Sequence, residues 1–257
     1  VHLLALEFPP IDHIVKFRPF LFENSQWFGF NKVALMCVLA TFFTLLIFVL
    51  AGNKRALVPT GVQNVVESAV DFIREGIIMQ TMGQDGMTWL PYLTALFFFI
   101  LFCNIFEVIP IFQMPATARM AVPAVLALLS WAIFITVGVI KQGPFGYLKS
   151  ALFPPGVPKA LYILVTPIEL ISTFLVRPFS LAVRLFANML AGHILLVTFA
   201  VLSSALFVKS ALIVVMPLPM VMLVLLTGFE VLVAVLQAYI FTILTAVYIG
   251  GAMHPEH

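Results

Sequence analysis

Apolar positions run along this chain in long blocks separated by short polar stretches. The first block, Val33 to Ala51, is about 19 residues, enough to cross ~30 Å at ~1.5 Å per residue. Gly52, Asn53, Lys54 and Arg55 end it. Thr60 to Gln80 has another texture: Glu67, Asp71, Arg74 and Glu75 alternate with Val65, Val66, Val70, Phe72 and Ile77 at helical spacing. This pattern predicts an amphipathic helix, lying on the membrane or packed on other helices. Gly83 to Gly86 reads as a turn. Leu90 to Phe112 is the second predicted span, with Asn104 and Glu107 near its end. After a short polar link, Met114 to Arg119, Val122 to Ile140 is the third. Lys141 to Lys159, rich in Gly and Pro, predicts a loop.

The remaining blocks are too long for ordinary spans. Ala160 to Phe207 is interrupted only by Glu169, Arg177, Arg184 and a few uncharged polar residues, and Ala211 to Gly250 carries Glu230 as its one formal charge. As single helices they would be about 70 Å and about 60 Å long, whereas a perpendicular span needs about 20 residues. Each block is therefore either two spans or one very oblique helix. Pro167, Pro178, Pro217 and Pro219 supply possible breaks, and hydropathy alone favours two spans each.

Composition confirms the solvent. The chain is 63% apolar and 9% charged, with a mean hydropathy of +1.15, against about 25% charged in soluble domains. A soluble enzyme and a disordered chain are excluded. A porin-like barrel would alternate polar and apolar positions, which these runs do not. The net charge of +2 leaves no footprint for nucleic acid. Cys37 and Cys103 lie far apart in apolar runs and read as small buried hydrophobes, not as a disulfide or a metal site. Val1 to Asn31 lacks the basic start and small-residue cleavage site of a signal peptide. Lys54 and Arg55 follow the first span, and Lys141, Lys149 and Lys159 follow the third. The positive-inside rule puts both loops in the cytoplasm and the N-terminal segment outside.

The few charges inside apolar runs carry the chemistry. Arg184 would cost about 2.5–3.5 kcal/mol at mid-bilayer on insertion scales, and its guanidinium stays charged there. It calls for a counter-charge from this chain or another. Asn188 lies one turn on, and shares its face. Glu230 and Gln237, seven apart, share a face of the last run. If the two long runs form an antiparallel hairpin of straight helices, residues at equal depth share an index sum. That sum is about 423 for His193 with Glu230, about 421 for Arg184 with Gln237 and about 425 for Asn188 with Gln237. The midpoint falls next to Lys209 and Ser210. One layer would hold Arg184, Asn188 and Gln237; a second, nearer the turn, His193 and Glu230. His and Glu exchange protons near neutral pH when their surroundings shift them. Glu169 lies on the other side of Arg184 along the chain, and would serve a path from the opposite face. Structural readings stand beside these: a snorkelling arginine, interhelical amide bonds, a packed histidine, a helix-capping Glu169. Glu107 and Arg119 read as structural or charge-balancing.

Arg184-Leu-Phe-Ala-Asn-Met-Leu-Ala-Gly192, with Gln237-Ala-Tyr-Ile-Phe-Thr-Ile-Leu-Thr-Ala-Val-Tyr248, resembles subunit a of F-type ATP synthases. Pro-Ile-Glu169, Pro110 and the Pro115-Ala-Thr stretch are similar too. The resemblance implies an all-α polytopic membrane protein: one amphipathic helix, transmembrane helices, and a hairpin of two long tilted helices facing a ring of c subunits. As one membrane domain, it would comprise an extracytoplasmic segment (1–31), peripheral helices (32–159) and the ring-facing hairpin with its tail (160–257). It implies that Arg184 faces the ring carboxylates, that Asn188 and Gln237 flank it, and that His193 and Glu230 are a coupled pair, with His and Glu exchanged relative to some relatives. Ala187 stands where the family usually has Gly. The implied partners are the c-ring, b-type peripheral-stalk subunits, the remaining synthase subunits, the lipid bilayer and protons, with no cofactor or metal. No phosphate-binding loop is visible, so nucleotide chemistry would belong to partner subunits. A self-contained transporter would show internal repeats, and none is apparent. A passive scaffold would not explain the stacked polar layers.

Overall fold

The computed structural model describes residues 31–53, 60–109, 112, 114–153, 158, 161–207 and 214–253. Among them no strand occurs, and the principal helices are α1 (Lys32–Asn53), α2 (Val62–Ile73), α3 (Leu90–Ile105), α4 (Ala121–Gln142), α5 (Pro144–Leu152), α6 (Tyr162–Ile171), α7 (Arg177–Leu206) and α8 (Pro217–Met253). Helices are what apolar runs must form in lipid, because each closes its own backbone hydrogen bonds. Five helical stretches are long and apolar enough to cross a membrane: 32–52, 83–105, 121–142, 162–206 and 217–253. The protein is a polytopic, all-α membrane protein.

The two long blocks are single helices, which corrects the two-span reading that hydropathy favours. The first runs 45 residues from Tyr162 to Leu206, and the second 37 residues from Pro217. At ~1.5 Å per residue even the shorter is about 55 Å long, so it fits a ~30 Å apolar layer only on a steep incline. The prolines do not cut these helices because of where they fall. Pro217 and Pro219 lie in the first turn of α8, where few backbone N–H groups have a partner to lose. Pro167 and Pro178 lie inside the first block, on either side of a π turn at Ser172–Val176 that joins α6 to α7. Its wider bonding pattern absorbs an extra residue without ending the helix.

Other boundaries shift as well. α3 ends at Ile105, seven residues before Phe112, and Phe106 to Val108 turn away from its axis. The turn at 83–86 extends as a 3₁₀ segment to Trp89. The predicted loop at 141–159 contains α5. Gly143, at φ 74°, ends α4, and Pro144 starts α5; a left-handed glycine followed by proline is a stop followed by a start. The Val1–Asn31 segment lies outside the described residues except for Asn31, as do Lys54, Arg55, Pro110, Lys159, Lys209 and Ser210.

α8 occupies the middle of the bundle, packed on α3, α4 and α7. α2 and the π turn that continues it (Arg74–Ile78) turn Val66, Ile73, Ile77 and Ile78 inward and Glu67, Asp71 and Glu75 outward, as the amphipathic pattern predicts. Gly250 of α8 sits so close to the end of that segment that a Cβ would meet the Thr81 carbonyl. Polar groups in the core are answered locally: Thr44, Thr94, Thr242 and Thr245 donate to carbonyls one turn back. Ser130 of α4 meets both Tyr92 of α3 and Thr245 of α8. At one end of the bundle Gln142 Nε2 donates to the Ala252 carbonyl, and Ser150 donates to Gln142 Oε1. That end also carries Lys141.

Candidate functional site

The hairpin brings Glu230 against α7 at the depth its index sum predicts. A Cβ on Gly192 would run into the Glu230 carboxylate, so glycine is what admits the acid between the helices. Glu230 and His193, the next residue along α7, are both buried. Glu230 Oε2 is fully enclosed without a hydrogen bond.

A second acid joins them. Glu107, just beyond the end of α3, places Oε1 3.5 Å from His193 Nδ1. Burial raises the Glu107 carboxyl above its ordinary range, and the neighbouring His193 partly counters the shift; at this separation Glu107 Oε1 makes no hydrogen bond. Reading Glu107 as a charge-balancing residue at the interface misses this contact, because 86 positions separate it from His193. The available signal was topological: an acid closing the second span emerges on the same side as the far half of α7. The segment carrying it is pinned by Thr117, whose Oγ1 donates to buried Asn104 Oδ1 at 2.5 Å.

A cavity of about 360 Å³ opens beside this cluster, lined by Glu107 and His193 with Val108, Leu196, Leu223 and Thr227 among its walls. It is large enough for several waters. Two titratable groups reach it, one from α7 and one from the turn after α3, which is chemistry that can pass a proton between aqueous space and the protein interior.

Arg184 stands apart. It is exposed, on a stripe with Ala187, Asn188, Ala191 and Leu195. No hydrogen bond or ion pair links it to another described residue. Gln237 is buried in the bundle, so the hairpin turns Gln237 inward and Arg184 and Asn188 outward. Glu169 is half-buried on α6, on the far side of the π turn from Arg184. Arg177, in contrast, is satisfied within the chain, 5.4 Å above the Tyr248 ring, a cation–π contact. Among the described residues, no cluster of three His, Cys, Asp or Glu is placed to hold a metal.

The family model described as ATP synthase A chain matches residues 33–250. The chain belongs to this family. Curated relatives named "ATP synthase subunit a" include those of Frankia alni, 42% identical over 92% of this chain and 86% of theirs, and Rhodococcus erythropolis, 40% identical over 99% and 94%. The relative from Maricaulis maris is 42% identical over 92% and 90%. The ATP synthase A chain match takes in α1 through nearly all of α8, including the Glu107–His193–Glu230 cluster and the Arg184 stripe. The chain is thus a membrane-spanning subunit a of the F-type ATP synthase, associated with ATP synthesis and proton transport.

Proposed function

We propose that this chain is the proton-conducting stator of the synthase membrane sector, offering two offset half-channels to a rotating ring of c subunits. The observation that carries the reading is Arg184: a permanent cation on the free face of an apolar helix, with no counter-charge among the described residues. Such a charge is expensive in lipid, and a facing carboxylate from another subunit removes the cost. Ala187 and Ala191 flank it on the same stripe and let that partner approach closely.

Protons enter from outside through the cavity at Glu107 and His193, pass the Glu230 and Asn188 region, and neutralise a ring carboxylate. The neutral acid then moves into lipid without the burial cost of a charge. After nearly a full turn it reaches the second path, near Glu169, and releases its proton to the cytoplasm. Arg184 attracts the ionised acid and separates the two paths, and Gln237 orders the polar layer behind it. The driving force is about 2.3 kcal/mol per proton per 100 mV. The setting is a bacterial plasma membrane, with the N-terminus outside, the C-terminus in the cytoplasm, and b-type stalk subunits bracing the chain. ATP chemistry belongs to the partner subunits.

Arg184→Ala in the full complex tests the reading. ATP-driven proton pumping is expected to vanish while the complex still assembles. Normal coupled pumping by an assembled Arg184→Ala complex overturns it.

A further inference from the structure

We infer that a groove at the end of the bundle bearing Lys141 binds one phosphatidylethanolamine-type lipid, with an acyl chain along α4 and the headgroup between Lys141 and Asp85. A cavity of about 480 Å³ lies there, within the range of about 300–1,000 Å³ typical of small-ligand sites. One wall is α4, through Ala132, Ile133, Thr136, Val137 and Ile140. Thr88 and Trp89, just before α3, form another, and Met253, the last residue of α8, joins them. Ala132, Thr136 and Ile140 are exposed and fall one turn apart, so they make a stripe along the helix.

Polarity changes along this groove as it does along a lipid. Its charged lining residues are Lys141, in the last turn of α4, and Asp85, in the 3₁₀ segment before α3. α3 starts at the end where α4 and α8 finish, as the Gln142–Ala252 hydrogen bond and the close approach of Gly250 to Thr81 require. Both charges therefore sit at one end. From Lys141 back to Ala132 is about 13 Å of helix, close to half of a ~30 Å apolar layer. Trp89 stands at the charged end, where aromatic rings mark the membrane interface. The cavity thus has the depth of one leaflet. A docked transmembrane helix would continue along α4, but Leu129, Leu128 and Val125, exposed farther in, take no part in the cavity.

The opposite charges select the headgroup. Lys141 suits a phosphate and Asp85 an ammonium. A carboxylate has about four lone-pair sites, so Asp85 accepts from the ammonium alongside any other bond it makes. Phosphatidylglycerol brings no cation to Asp85, and the quaternary nitrogen of phosphatidylcholine brings no N–H.

The test uses the assembled complex in nanodiscs that contain a phosphatidylethanolamine with a diazirine at mid-chain. Illumination, digestion and peptide mass mapping then locate the label. It is expected on residues 132–140 of α4. Unlabelled phosphatidylethanolamine is expected to compete, and phosphatidylglycerol and phosphatidylcholine with the same chains to compete about threefold less well, the scale of one exposed charge pair. Lys141→Gln and Asp85→Asn are each expected to lower the label about threefold, and Lys149→Gln, outside the groove, to leave it unchanged. The competition series needs no variant, so a variant that fails to assemble does not shield the proposal. The proposal is overturned if the label spreads evenly over α4 from 125 to 140, which marks surrounding lipid only, or if the three lipids compete equally. It is also overturned if Ile140→benzoylphenylalanine cross-links to another synthase subunit instead of lipid. None of these readouts depends on proton flow.

Discussion

Glu107, just past the end of α3, faces His193 of α7, Oε1 to Nδ1 at 3.5 Å, beside a cavity both of them line. If this contact is the first relay of the inward path, Glu107→Gln keeps the shape and loses the titratable group. Passive proton flow through the membrane sector is expected to fall about tenfold, a barrier change of about 1.4 kcal/mol. Glu107→Asp is expected to fall between the two. Flow measured in vesicles stripped of the ATP-hydrolysing sector checks both; an unchanged Glu107→Gln rate removes Glu107 from the path.

The same burial gives Glu107 a stability signature. Its carboxyl is raised in the folded protein, so the folded state binds its proton more tightly than the unfolded chain does. That contribution is fully present below the ordinary carboxylate pKa and is lost as pH rises through the raised value. In the Glu107→Gln complex this part of the slope is expected to disappear, so its thermal stability in detergent should fall less across that window. His193→Gln is expected to act in the opposite sense. Without histidine's countering effect the carboxyl titrates still higher, and the decline moves to higher pH.

Gly192 and Glu230 make a steric pair that can be separated by mutation. Gly192→Ala puts a methyl group where the carboxylate now sits, and overpacking of this kind costs about 1–3 kcal/mol. Glu230→Asp draws the carboxyl back by one methylene. The double variant is expected to recover part of the loss, with a coupling of about 0.5–3 kcal/mol. Thermal dissociation of the purified complex measures all four corners. Strict additivity of the two changes would show that the acid has room elsewhere.

Much of this architecture was legible because lipid imposes simple rules. Unbroken apolar runs placed α1 and α4 to within a few residues, and a constant index sum placed Glu230 at the depth of Gly192 on α7. Arg184 and Asn188 share an exposed face, as their spacing of four requires. What escaped depended on contacts between distant segments or on the ends of elements. Phe106 and Val108 are as apolar as the helix before them, so hydropathy carried α3 past its end. Gly143 and Pro144 look like loop punctuation, yet they separate two helices. The approach of Glu107 to His193 is a product of packing across the bundle, which a single sequence does not register. The continuity of the two long helices was decided by the positions of Pro167, Pro178 and Pro217, and proline content alone points the other way.

The docking of α5 offers a last prediction, at the end of the bundle remote from Glu107. Gly138 of α4 lies so close beneath the Tyr147 ring that a Cβ would overlap it, and Tyr147 is buried there. Phe134, one turn earlier on α4, sets its ring tilted against Tyr248 with centroids 5.7 Å apart, and Tyr248 in turn carries Arg177. Gly138→Ala therefore has to push Tyr147 out, and α5 with it, straining the Ser150–Gln142–Ala252 hydrogen-bond chain. The expected cost is about 1–3 kcal/mol, read as a lower thermal midpoint of the complex. Tyr147→Leu in the same chain removes the overlapping ring while keeping an apolar side chain, and should return part of that loss. Tyr147→Leu alone should be destabilising, since it empties volume under α5. If Gly138→Ala is neutral by itself, α5 is free to ride up on α4 and the contact does not hold it in place.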